Sequence, residues 1–149
     1  METHTRQVSR RLHEEHLATL ALWSRVEASL AAGKADAALM RTAAAQLAEE
    51  VERHFKFEEE ALFPRLAAAG EGDIAELLKE EHATIREAAT RFMALAKEDF
   101  SKELRVLGLE LAERLVSHVQ KEEMSMLPAL EDLLDEGSDH ELTLAYASL

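Results

Sequence analysis

The chain has 149 residues, a formal net charge of −13 and no cysteine, which excludes disulfides, thiolate ligands, thiol catalysis and iron–sulfur clusters. Its acidity argues against a nucleic-acid footprint, which needs a clustered basic face, and equally against docking on an anionic membrane. Ala, Leu, Glu, Lys and Arg dominate while Gly (5) and Pro (2) are scarce, so the composition predicts an all-α protein forming a single domain over 1–149.

No stretch reaches the roughly 18 uncharged apolar residues of a membrane span, and the polar N-terminus is not a signal peptide. The cytoplasm is therefore the expected compartment. The first helix is predicted over 5–32, stopping at Gly33, a C′ residue. Its apolar stripe reads Leu12, His16, Leu20, Trp23, Val26 (or Glu27) and Leu30, interrupted by a histidine. Asp36 is the candidate N-cap of the second helix, whose stripe is Met40, Leu47, Val51, His54, Glu58 and Leu62. Pro64 predicts a kink before that helix ends ahead of Gly70-Glu-Gly72.

Asp73 is the expected cap of a third helix running to Lys97, with Leu78, His82, Ile85, Ala89 and Phe92 inward. Asp99 or Ser101 caps the fourth, whose stripe is Leu104, Leu107, Leu111, Leu115, His118, Glu122 and Met126. A second kink is expected at Pro128 and an end near Gly137; residues 138–149 are left as a tail able to form a short helix against the bundle. Short connections make the expected fold an antiparallel up-down-up-down four-helix bundle over about residues 5–136.

Chain arithmetic tests whether the inward histidines can meet. From His16 the first helix runs 16 residues to Ala32, and the second returns 18 residues from Asp36 to His54. At about 1.5 Å per residue these legs are roughly 24 and 27 Å. The other hairpin repeats the pattern, with 15 residues from His82 to Lys97 and 17 from Ser101 to His118. All four histidines are thus predicted to fall in one layer.

The chain also repeats internally. A shift of 64 lays His54, Glu58, Glu59 and Pro64 on His118, Glu122, Glu123 and Pro128; a shift of 66 lays Leu12, Glu14, Glu15 and His16 on Leu78, Glu80, Glu81 and His82. In each His-x-x-x-Glu the two side chains share one helix face, close enough to reach one metal ion. One such pair is more often an ordinary core histidine beside a half-exposed acid. Two pairs and two single histidines in one duplicated layer are not, because buried carboxylates protonate unless paired or coordinating. A metal must here be held by N and O donors.

Ferritin-type di-iron bundles carry Glu-x-x-His, which is absent from this sequence. The pattern of Leu12-His-Glu-Glu-His16, the His54–Leu66 segment, Lys79-Glu-Glu-His82 and the His118–Leu130 segment instead resembles the hemerythrin family, in particular the bacterial hemerythrin-like (HHE cation-binding) domains. That resemblance implies a non-haem di-iron centre bridged by an oxo or hydroxo group. His16, His54, His82 and His118 would be terminal ligands, and Glu58 and Glu122 would bridge the irons. Mn or Zn are possible substitutes, and the partner would be O2, peroxide or NO, with carriage, turnover and iron or redox sensing all open. The oxygen-carrying members have a second histidine one turn after the third-helix histidine, where this chain has Arg86; a position left open or filled by solvent would follow. His13 reads as a surface histidine in preference to a fifth imidazole. Glu59 and Glu123 read as partners of ligands or surface acids. His4 and His140 look incidental. Trp23, Phe57, Phe63 and Phe92 read as core in preference to a pocket lining. The sequence sets no oligomeric state.

Overall fold

A computed structural model describes residues 4–34, 36–98 and 100–149. It is all-helical, and four rods make the bundle. The first is α1 (Gln7–Ala31). The second starts as α2 (Ala37–Glu49), continues through π-helical turns at Glu50–Phe55 and Glu58–Leu62, and ends as α3 (Phe63–Ala68). The third is α4 (Gly72–Leu95). The fourth joins α5 (Lys102–Lys121), a π turn at Glu122–Met126 and α6 (Leu127–Leu133). A further helix, α7 (Glu136–Ala147), follows. The rods pack in cyclic order: α1 on α2, the second rod on α4, α4 on α5, and α5 back on α1. Among the described residues, no helix is long and apolar enough to cross a membrane.

Most helix ends follow the sequence signals. Gly33 closes α1 at φ 74°, a conformation that an L side chain rarely adopts. The Asp36 carboxylate accepts from the backbone N–H groups of Ala38 and Leu39, and Ser101 Oγ accepts from Leu104 N at 3.0 Å. Asp99 lies outside the described residues. Two ends differ. The third helix begins at Gly72 with no side-chain cap, so Asp73 sits inside its first turn, where its charge still suits the helix dipole. The fourth rod stops at Leu133, because Asp135 and Ser138 form a reciprocal capping box that opens α7. Gly137 is therefore within the next helix and does not terminate the previous one.

The tail is an ordered helix. Leu142 and Tyr146 are buried, and Asp139 accepts from Gln7 N at 2.9 Å and Val8 N at 3.0 Å. Arg6 caps α1 with no side-chain bond of its own, so α7 satisfies two donors that α1 leaves unpaired. Gly108 marks the close approach of α5: a Cβ there would run into Leu30 and Phe92.

The core is divided. One apolar cluster contains Trp23, Leu47, Ile85, Phe92 and Leu115; the other contains Leu12, Leu62, Leu78, Met126 and Tyr146. In each rod the metal-type residues fall between the two, as His16 does between Leu12 and Trp23 and His82 between Leu78 and Ile85. The polar layer predicted from chain lengths is the boundary between two dry cores.

Candidate metal centre

The π turns carry the chemistry. Phe63 N and Leu127 N each reach back five residues, to the carbonyls of Glu58 and Glu122, so the rod is widest at the two buried glutamates. Such turns recur at functional sites. Each sits just ahead of a proline expected to bend the rod. Pro64 and Pro128 occupy the first positions of α3 and α6, where a missing N–H leaves no bond unmade.

His16, His54, Glu58, His82, His118 and Glu122 are brought together, none more than 2% exposed. They form two groups of four, His16/His54/Glu58/Glu122 and Glu58/His82/His118/Glu122. Both glutamates belong to both groups. His16 Nε2 lies 2.9 Å from Glu122 Oε1, and His54 Nε2 lies 3.1 Å from Glu58 Oε2. On the other side His82 Nε2 is 3.2 Å from Glu58 Oε1 and His118 Nε2 is 3.4 Å from Glu122 Oε2. Each carboxylate thus turns one oxygen to each pair of histidines.

A ring of four more carboxylates holds the imidazoles from outside. Glu123 lies 2.8 Å from His16 Nδ1, Glu15 3.2 Å from His54 Nδ1, Glu59 2.6 Å from His82 Nδ1 and Glu81 2.9 Å from His118 Nδ1. Every supporting acid is the chain neighbour of a residue in the central layer, and every one reaches to the next rod in the cycle. Ionised carboxylates only accept, so each Nδ1 carries a proton and each Nε2 points inward as the donor available to a cation.

Whether a cation suits the layer can be judged from its own polar atoms. Glu58 Oε1 and Glu122 Oε2 are buried and, among the described residues, accept no hydrogen bond even though His82 Nε2 and His118 Nε2 approach them; such orphans are rare and unfavourable in proteins. His82 Nε2 and His118 Nε2 face each other at 3.0 Å, so two nitrogen donors converge on one point. These residues fit a metal ion bound through imidazole and carboxylate.

Without a cation His16, His54 and His118 are driven towards the protonated form. Burial pushes His16 down, but its bonds to Glu122 and Glu123 outweigh that and raise it to about 9. Burial likewise opposes protonation of His118, which the nearby Glu122 charge and the bond to Glu81 raise to about 10. His54 is also raised well above its usual value against burial, by Glu50 and Glu58. Burial would raise Glu122, yet the His118 charge and the bond from His16 hold it well below the usual carboxylate range. Glu15 is held at about 2 by bonds from His54 and Tyr146, which overcome its own burial.

Several features escaped the sequence. Glu50 is buried while Val51 is only half-buried, because the π turn shifts helical phase by a residue relative to the 3.6-residue stripe. Burial pushes the Glu50 carboxyl up, and it lies 3.6 Å from His54 Nδ1. Phe55 stacks on His82 at 3.8 Å with rings 5° from parallel. Glu15 and Glu81 were visible only as equivalent positions in the repeat. Tyr146 donates to Glu15. His13 does not join the central groups; it is half-buried and bonded to Glu123. Trp23, Phe57, Phe63 and Phe92 are core residues, and Trp23 Nε1 donates to Gln46 at 2.9 Å.

Fold and layer together define a helical bundle built around a buried histidine–carboxylate centre able to hold metal. The family model for the hemerythrin HHE cation-binding domain matches residues 7–137. The chain belongs to that family. No curated protein and no solved structure matches it.

Proposed function

We propose that this is a non-haem di-iron hemerythrin-like protein of the cytoplasm that binds or reduces O2, peroxide or NO. The observation that carries the reading is the sharing of Glu58 and Glu122 between two donor groups, each group adding two histidines. His16 and His54 would hold one ion, His82 and His118 the other, and the two glutamates would span both. Iron bound there supplies one-electron chemistry and open positions for a small ligand. Mn or Zn can take the same donors in vitro.

The protein's own residues do the rest. The four outer carboxylates fix ring orientation and raise imidazole basicity. Phe55, Phe63 and the two apolar clusters keep bulk water from the layer. A groove of about 330 Å³ lined by Glu15, Thr19, Gln46, Glu50, His54 and Tyr146 reaches the edge of His54 and offers the polar route for protons.

Aerobic iron(II) loading followed by metal analysis tests the reading; less than half an equivalent of iron would sink it. The runner-up is iron or redox sensing without turnover. Near-complete burial of all six central residues favours it, because occupancy is then coupled to the packing of every rod. O2 or peroxide consumption by the loaded protein supports the first reading. A change in protease resistance on metal removal, with no consumption, supports the second.

A further inference from the structure

A second cluster of ligand-type side chains lies outside the central layer. His4, His13 and Glu123 each offer a donor atom, and the three atoms lie within 4.8 Å of one another. We propose that these residues form a mononuclear site for a divalent first-row transition-metal ion, distinct from the buried centre.

The rings of His4 and His13 lie 4.5 Å apart between centroids, tilted by 38°. His13 Nδ1 is hydrogen-bonded to Glu123 Oε1, and His4 Nδ1 is shielded from solvent with no hydrogen-bond partner among the described residues. An unsatisfied, shielded imidazole nitrogen beside a second imidazole and a carboxylate is what a cation would satisfy. His4 is also held in place. Thr5 Oγ1 and Arg6 N donate to Glu131 at 2.5 and 3.2 Å, and the Arg10 guanidinium donates to the His4 carbonyl at 3.4 and 3.5 Å.

Two imidazoles and one carboxylate favour Zn(II), Co(II) or Fe(II) over Mg(II) or Ca(II), which prefer oxygen donors. Metal–ligand bonds of about 2.0–2.1 Å place tetrahedral donors roughly 3.3 Å apart, so donors that lie within 4.8 Å of one another close by at most about 1.5 Å, while His13 and Glu123 part slightly. His4 precedes α1 and has no helical hydrogen bond to break. The ion would take the place of the hydrogen bond between His13 and Glu123. The other Glu123 oxygen lies 2.8 Å from His16 Nδ1, which ties this outer site to the central layer through one carboxylate.

The test is a Co(II) titration of metal-stripped full-length protein, followed by calorimetry and by the visible d–d spectrum. The wild type is compared with His4→Ala and His13→Ala, neither of which replaces one of the six central residues. Each variant is expected to bind one equivalent fewer than the wild type. Wild-type stoichiometry in both variants would overturn the proposal, and a loss in His13→Ala alone would remove His4 and overturn the three-residue site as stated. If the buried centre itself binds nothing, the wild type still takes one equivalent and the variants none, so the two readings fail separately.

Discussion

The two halves of the central layer share their donors and differ in what surrounds them. Each half has two imidazoles and one oxygen from each of Glu58 and Glu122. Around His82 and His118 the setting is aromatic and charge-balanced. Phe55 stacks on His82, Arg86 pairs with Glu59 at 2.7 Å, and Lys121 pairs with Glu81. Around His16 and His54 it is polar, and Arg11 pairs with Glu15 at 3.2 Å. Glu50 is an additional buried carboxylate, Tyr146 ties Glu15 to the tail helix, and the groove opens there. The repeat carries the same residue pattern in both halves, while separate packing partners give each half different surroundings. The groove beside His54 makes the His16/His54 side the expected route for small-ligand and proton exchange.

The strongest way to break this picture is at the shared carboxylates. Glu58→Ala and Glu122→Ala should each abolish tight metal binding, and to a similar degree, because the two residues mirror one another in the repeat. Calorimetric titration of both variants checks this. A large difference between them would show that the halves are not equivalent even in their donors.

Next in size is the response to pH. In metal-free protein His16 and His118 titrate near 9 and 10 against an ordinary value of 6.5. Their raised values stabilise the metal-free fold fully below about pH 6.5, and that contribution is lost as pH rises through 9 to 10. Metal must displace those protons, so binding at pH 7 releases protons and apparent affinity climbs towards pH 9. Calorimetry in two buffers of different ionisation enthalpy measures the release. Binding that releases no protons would contradict the assignment of the imidazoles as donors.

Arg86→His probes the His82/His118 half alone. The guanidinium and His82 Nδ1 share Glu59 Oε2, so Arg86 steadies the acid that orients a central imidazole and is more than a gap in the ligand pattern. The substitution should weaken metal binding by about ten-fold, in line with the loss of other outer partners of metal ligands. If a histidine at this position instead reaches the centre, affinity should rise and the oxidised, iron-loaded spectrum should change.

The smallest effect expected is from Tyr146→Phe on the polar half. Losing the hydroxyl bond to Glu15 should lower stability by about 1 kcal/mol, seen as a reduced thermal midpoint. Buried apolar packing of the ring against Phe57 is retained. A loss much larger than that would mean that the tail helix depends on this bond more than on its apolar contacts and the Asp139 bonds to α1.

The four rods, the two His-x-x-x-Glu faces and the common layer were legible because they depend on local periodicity and on the lengths of chain between histidines. Asp36, Ser101 and Gly33 were legible as helix punctuation for the same local reason. Asp73 and Gly137 misled, since a cap is decided by which residue has an unpaired N–H nearby, and Asp135 with Ser138 won the second contest. Glu50 was hidden by the π turn, which breaks the period on which the stripe was read.

By itself, then, the sequence determined the helices, the duplicated donor set and the depth at which the donors meet, all consequences of spacing along a helix. Tertiary structure decided which carboxylate supports which imidazole. That ring runs from Glu15 to His54, Glu59 to His82, Glu81 to His118 and Glu123 to His16, and every link crosses between rods. It also decided that Arg86 serves Glu59, that Tyr146 returns to Glu15, and that His4 stands over His13. Those contacts join residues far apart in the chain, and their geometry is fixed only when the four rods close around a shared polar layer.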